Sequence, residues 1–186
     1  MMKKIYYGKA VYDKKEINAV LDVLRNESLT LIDGKKVKKL EKLVSKSFGK
    51  KYGLMVNSGS SANLLALSSF NFKKGSEIIT PNLTFSTTVA PIYQLGLIPH
   101  FIGVEENKFI ADPSQIEKCI NKKTVALMIP NLLGNIADWK KINSIAKKYK
   151  LKVIEDSADT IGYTINKKNT GRYSDITTNS FYASHI

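Results

Sequence analysis

Cysteine is nearly missing from this sequence. Cys119 is the single one in 186 residues, which excludes an internal disulfide framework and a cysteine-built metal cluster within the chain. Arginine is almost as scarce: Arg25 and Arg172 stand among 29 basic residues. Base edges are read most specifically by the bidentate guanidinium fork. A net charge of +13 carried by lysine, in scattered pairs such as Lys35-Lys36, Lys73-Lys74 and Lys140-Lys141, therefore does not mark a sequence-reading nucleic-acid surface, and it suits an anionic small substrate equally well. No run approaches the roughly 18 apolar residues that span a bilayer. The basic start Met1-Met2-Lys3-Lys4 is not followed by the apolar core of a signal peptide. Neither nucleic acid nor membrane is expected as a partner, and the cytoplasm is the default compartment.

With 43% hydrophobic residues, a chain of this length can bury a core as one domain. Its apolar periodicity switches repeatedly between helix and strand. Ile17, Val20, Leu21 and Leu24 recur at helical spacing after Asp13, a candidate N-cap. Val37, Leu40, Leu43, Val44 and Phe48 predict a second helix closed by Gly49. A strand is expected at 52–56 and a helix at 62–70. Strands follow at 77–80, 98–104, 124–129, 151–155 and 176–181. Helices fall between them at 86–95, 113–120 and 137–150, the last with Ile142, Ile145, Ala146 and Tyr149 inward. Short β-branched strands alternating with helices imply an α/β fold with a mostly parallel sheet covered on both faces.

Ligands of such sheets bind beyond the carboxyl ends of the strands, and four features fall there. Asn57-Ser58-Gly59-Ser60-Ser61-Ala62-Asn63 joins a strand to a helix; its small residues and the free N–H groups of a helix start suit a phosphate, and equally an ordinary serine cap. Glu155-Asp156 ends a strand with the two carboxylates on opposite faces. Asp156 could pair with a protonated ring nitrogen, or simply cap the next turn. Phe85, in Thr84-Phe85-Ser86, could stack on a flat ligand or belong to the core. His185, beyond the last strand in Ser180-Phe181-Tyr182-Ala183-Ser184-His185, is a candidate general base, since imidazole titrates near neutrality; the alternative is a surface histidine. His100 carries no signal of a partner.

Taken in order, these features resemble the DegT/StrS family of pyridoxal-phosphate enzymes acting on nucleotide-linked keto-sugars. The landmarks are Ser58-Gly59-Ser60-Ser61-Ala62-Asn63-Leu64-Leu65-Ala66-Leu67, Glu77-Ile78-Ile79-Thr80-Pro81, Thr84-Phe85, Gly134-Asn135, Ile154-Glu155-Asp156 and Ser180-Phe181, and the resemblance runs from Tyr7 to His185. It implies the aspartate aminotransferase-like fold (fold type I), a three-layer α/β/α large domain. It also implies roles. Gly59, Ser60 and Ser61 would hold the phosphate of pyridoxal 5′-phosphate (PLP) or pyridoxamine 5′-phosphate (PMP), and Ser180 would add a hydroxyl. Phe85 would stack on the pyridine ring. Asp156 would pair with the ring nitrogen and keep it protonated, making the ring an electron sink. Asp159 falls where the aminotransferases commonly carry a glutamine near the ring hydroxyl.

One position departs from the aminotransferase pattern. Five residues after that serine the aminotransferases carry the lysine that bonds covalently to the cofactor. Ser180 plus five is His185, and imidazole cannot form that bond. The same exchange is typical of the 4-keto-6-deoxysugar 3-dehydratases, which Gly59-Ser60-Ser61-Ala62-Asn63-Leu64-Leu65 and Ser180-Phe181-Tyr182 also resemble more closely. The resemblance then implies PMP held non-covalently and His185 as the catalytic base, taking a proton from the cofactor's methylene carbon as the C3 hydroxyl of a nucleotide sugar leaves. The setting would be deoxysugar biosynthesis for lipopolysaccharide or a related glycan. One dehydratase type uses glutamate as amino donor. Another carries an iron–sulfur cluster, which Cys119 alone cannot supply, although in the family its cysteines would lie beyond Ile186. No metal ligand set is expected here. Family members are longer and act as homodimers, so residues 1–186 are expected to be the PLP-binding large domain, incomplete at its C-terminus and without the smaller C-terminal domain. The alternatives are a sugar aminotransferase relative that has lost its lysine, and a non-catalytic module of the same fold.

Overall fold

Five parallel strands in the order β2-β1-β3-β4-β7 form the centre of the molecule. They are seen in a computed structural model that describes residues 4–6, 8–26, 31–32 and 34–185. The strands are β1 (Glu77–Pro81), β2 (Ile98–Ile102), β3 (Thr124–Pro130), β4 (Lys152–Ser157) and β7 (Ile176–Asn179). The central strand β3 is apolar from Val125 to Pro130 because both of its faces are covered. Alternation still sorts the strand side chains. Ile79, Leu127, Ile129 and Val153 point into one core with Ile116, Trp139 and Ile142. Ile78, Ala126, Met128 and Ile154 point into the other with Ala66, Leu67 and Ile92. The first core is roofed by α5 (Pro113–Cys119) and α6 (Trp139–Tyr149), the second by α3 (Gly59–Ser68) and α4 (Ser86–Gln94). The architecture is therefore three-layered α/β/α, as expected. No helix among the described residues is long and apolar enough to cross a membrane.

The sequence-based boundaries need four corrections. Residues 52–56 are not a strand. Their backbone turns elsewhere: the Met55 N–H donates to Glu41 Oε1 at 2.7 Å, and no strand among the described residues pairs with them. Helix α3 begins at Gly59, three residues before the expected start, so the glycine-serine run is its first turn. Tyr149 is 39% exposed rather than inward, because α6 ends there, with Lys150 in the left-handed conformation. A small antiparallel hairpin, β5 (Thr164–Ile165) and β6 (Lys168–Asn169), was not expected. Its turn, Asn166-Lys167, has both residues at positive φ, the conformation of a tight hairpin turn.

Helices α1 (Lys14–Asn26) and α2 (Lys35–Ser47) precede the sheet. Asp13 starts α1 as expected: its Oδ1 accepts the Lys15 N–H at 2.6 Å, while its own N–H donates to Glu16 Oε2 at 2.8 Å, a reciprocal capping box. The apolar stripe of α1 is nevertheless exposed, and none of its residues is buried. Helix α2 is anchored by its C-terminus, where Ser47 O accepts from Asn169 Nδ2 and the following Lys50 Nζ donates to Ser174 O, both at 2.6 Å. His100 does have a partner, Glu77, with Nδ1 and Oε2 3.3 Å apart.

Candidate active site

Because every strand of the main sheet runs the same way, the loops that leave their carboxyl ends gather along one edge. Helix α3 opens there. Ser58 is its N-cap in an extended conformation, with Oγ accepting the Ser61 N–H at 3.1 Å. The Ala62 N–H donates to Ser58 O at 3.0 Å. The N–H groups of Gly59 and Ser60 lie ahead of that first helical bond and so are open to a ligand. Gly59 sits directly against the end of β7: a Cβ added to it would lie 3.4 Å from Ser180 Cβ and 3.7 Å from Ser180 Oγ. Gly59, Ser60, Ser61 and Ser180 thus converge on one small-residue cradle with the positive end of a helix dipole behind it.

One turn further along α3, Asn63 is buried. Its Nδ2 donates to Asp156 Oδ2 at 2.8 Å and to Thr87 O at 3.1 Å, and its Oδ1 accepts from Thr178 Oγ1 at 2.6 Å. Asp156 Oδ2 also accepts from Thr88 Oγ1 at 2.9 Å, and Oδ1 accepts the Ala158 N–H at 3.2 Å. Burial pushes the Asp156 carboxyl above its ordinary range; the Asn63, Thr88 and Ala158 hydrogen bonds pull it back, and the nearby Asp159 adds to the rise. Among the described residues no cation pairs with Asp156. Its neighbour Glu155 points to the other face and is wholly buried. There Oε1 accepts from Asn131 Nδ2 and Ser157 Oγ, and Oε2 from Ser174 Oγ and Thr177 Oγ1.

Beyond β4, Asp159 Oδ2 accepts the N–H of Leu133, a residue at positive φ beside Gly134. Asp159 Oδ1 faces His185 Nε2 at 3.6 Å. His185 is held by a turn in which its own N–H donates to Tyr182 O at 2.8 Å, with the two rings 5.4 Å apart. His185 Nδ1 and the neighbouring Ser184 Oγ are buried without a protein partner. Phe85 is the N-cap of α4 and is 67% exposed, so it does not belong to the core.

All eight residues singled out in the sequence lie along this edge. The structure joins Gly59 to Ser180 and Asp159 to His185 directly, and it links Asp156 to the α3–β7 contact through Asn63. Asp159 is engaged with Leu133 and His185, a placement that the glutamine comparison did not suggest. Sequence reasoning gave no role to Asn63, Thr88 or Thr178. The available signal was a polar residue one helical turn after Gly59, flanked by Ala62, Leu64 and Leu65, where the period calls for an apolar one.

Residues 11–186 match the DegT/DnrJ/EryC1/StrS aminotransferase family. The chain belongs to that family. It is similar to the GDP-4-keto-6-deoxy-D-mannose 3-dehydratase of Yersinia pseudotuberculosis, 34% identical over 95% of this chain and 46% of that protein. The dTDP-4-dehydro-2,6-dideoxy-D-glucose 3-dehydratase of Saccharopolyspora spinosa is 36% identical over 95% of this chain and 39% of that one. The solved E. coli GDP-4-keto-6-deoxy-D-mannose-3-dehydratase with bound hydrated PLP superposes with a TM-score of 0.81 at 33% identity, covering 90% of this chain and 44% of that one. Helicobacter pylori PseC, an aminotransferase of pseudoaminic acid biosynthesis, superposes with a TM-score of 0.90 at 30% identity, covering 97% and 48%. The chain spans about half the length of the curated relatives it matches.

Proposed function

We propose that residues 1–186 form the cofactor-binding domain of a PMP-dependent 3-dehydratase acting on a nucleotide-linked 4-keto-6-deoxyhexose in deoxysugar biosynthesis. The observation that carries this reading is His185. It stands five residues after the serine that abuts Gly59, and there an imidazole faces Asp159 at the carboxyl edge of the sheet.

The residues present fit such a cofactor in two respects. The α3 N-terminus and Ser180 make a cradle for a dianionic phosphate group. Asp156 is a buried carboxylate without a cationic partner among the described residues, which a protonated pyridine nitrogen would supply. When bound, the cofactor supplies an electron sink that acidifies its methylene carbon.

The side chains do the rest. Gly59, Ser60, Ser61 and Ser180 bind the phosphate and fix the ring's position. Phe85 covers one face of the ring, and Asp156 keeps its nitrogen protonated. His185 takes up the proton, and the Asp159 carboxylate 3.6 Å away stabilises the imidazolium that results. The reading carries with it glutamate as amino donor, a cytoplasmic location and a homodimeric assembly.

The test is whether the purified chain binds PMP and converts a GDP-linked 4-keto-6-deoxyhexose to a 3-deoxy product, followed by mass spectrometry. Binding of neither PLP nor PMP would leave only a non-catalytic module of the fold. His185→Lys is expected to turn non-covalent PLP binding into a covalent link with a visible absorption band. Cofactor binding without that band would show that position 185 does not face the reactive carbon.

A further inference from the structure

The Asp156 carboxylate is held by a chain of buried side chains from three elements, and this arrangement does more than fill space. Asn63 sits at its centre. Both N–H groups of its amide are used, on Asp156 Oδ2 and Thr87 O, and its oxygen is used by Thr178 Oγ1. A flipped amide would set oxygen against the carboxylate and the Thr87 carbonyl, both acceptors only, so the orientation is unique. Asn63, Thr88, Thr178 and Asp156 are all buried, where each hydrogen bond to a charge is strong and an unmade one is costly. The two side-chain donors fall on the same carboxylate oxygen, Oδ2. Among the described residues Oδ1 accepts only the 3.2 Å bond from the Ala158 N–H, and so keeps acceptor capacity. Asn63 is also one turn from Gly59 on the same helix face, and Thr178 lies in β7 two residues before Ser180, which follows the end of that strand. The α3–β7 contact therefore links the phosphate cradle to the carboxylate rigidly.

We propose that Asn63 is a positioning residue of this site: with Thr178 orienting its amide, it occupies Asp156 Oδ2, keeps the carboxylate ionised and presents Oδ1 to the protonated ring nitrogen of the cofactor. The proposal rests on the cofactor reading above. Without Asn63, only the Thr88 and Ala158 hydrogen bonds would oppose burial at Asp156, its carboxyl would take up a proton more readily, and the counter-charge for the ring nitrogen would weaken while the phosphate cradle stayed intact.

The experiment uses the full chain and PMP isotope-labelled at the ring nitrogen, whose nuclear magnetic resonance shift reports its protonation. Wild type is expected to bind PMP with that nitrogen protonated at neutral pH. Asn63→Leu, close in volume, is expected to move the resonance toward the neutral-pyridine position and to weaken PMP binding about tenfold, the scale of one hydrogen bond to a charged group. Inorganic phosphate, competing at the cradle, should bind both proteins alike. Normal PMP affinity and an unmoved resonance in Asn63→Leu would overturn the role of Asn63. Absence of PMP binding in wild type would instead overturn the cofactor reading itself. If Asn63→Leu lacks the wild-type far-UV spectrum, Thr178→Val decides: it removes only the hydroxyl that orients the amide, and it should shift the same resonance part of the way. No shift in a folded Thr178→Val would overturn the proposal as well.

Discussion

Glu155 and Asp156 are consecutive residues of one strand, both buried, and their surroundings differ in kind. Glu155 points to the face roofed by α6. Four side-chain donors, from Asn131, Ser157, Ser174 and Thr177, satisfy its two oxygens. A half-buried cation lies nearby: burial lowers the affinity of Lys50 for its proton, while Glu155 and then Asp175 raise it again. Asp156 points to the face roofed by α3 and α4. Among the described residues it has two side-chain donors, both on one oxygen, and an acidic neighbour in place of a cation. The first carboxylate is complete within the protein and acts as a structural clamp between β4 and the turn before β7. The second keeps acceptor capacity at the ligand-binding edge of the α/β sheet, where the proposed cofactor would supply the missing cation. A period of two residues is enough to separate the roles.

This contrast has measurable consequences. Glu155→Ala removes the shared acceptor of four side-chain donors, those of Asn131 and Ser157 buried and those of Ser174 and Thr177 half-buried, and one of the two carboxylates near Lys50, so urea unfolding is expected to show a loss of about 3 kcal/mol. Asp156→Asn should act on ligand rather than fold, with PMP affinity falling about tenfold to a hundredfold in a calorimetric titration. Its stability effect has the opposite sign. The folded carboxyl is raised above the unfolded value, so the charged form is a burden that is full above the folded value and fades as pH falls toward the ordinary 3.8. Asp156→Asn is therefore expected to stabilise the cofactor-free chain at neutral pH and to do so less on acidification, as urea unfolding at two pH values would show. A stabilisation that grew toward acid would refute that sign. The smallest effect is expected from Thr177→Val, which removes one donor of Glu155: about 1 kcal/mol of stability, with PMP affinity unchanged.

Much of this molecule was legible before its fold was known, and for a local reason. The strand at 124–130 carries an unbroken apolar run from Val125 to Pro130, while α6 carries a 3.6-residue period, and both patterns are properties of short windows. Asp13 could be read as a cap because its partners, Lys15 and Glu16, are at most three residues away. The same locality explains the errors. Residues 52–56 have the composition of a strand, yet a strand needs a partner, and the Met55 N–H found the Glu41 carboxylate instead. The amphipathic stripe of α1 predicted a helix correctly but could not say what, if anything, covers it. The eight candidate site residues emerged through their order along the chain and their resemblance to a family pattern. Asn63, Thr88 and Thr178 did not, since each has meaning only through a carboxylate far away in sequence.

The sequence by itself determined the alternation of strands and helices, the opposite facing of Glu155 and Asp156, the small-residue start of α3 and the imidazole at position 185. Those features follow from backbone periodicity, from the absence of side-chain bulk and from residue identity. Only the tertiary structure decided which buried polar groups complete one another. Asn63 meets Asp156 across 93 positions, and His185 meets Asp159 across the β5–β6 hairpin and β7. The physical reason is that a buried carboxylate is defined by the donors around it, and those donors are brought together by the packing of α3 and α4 against the sheet.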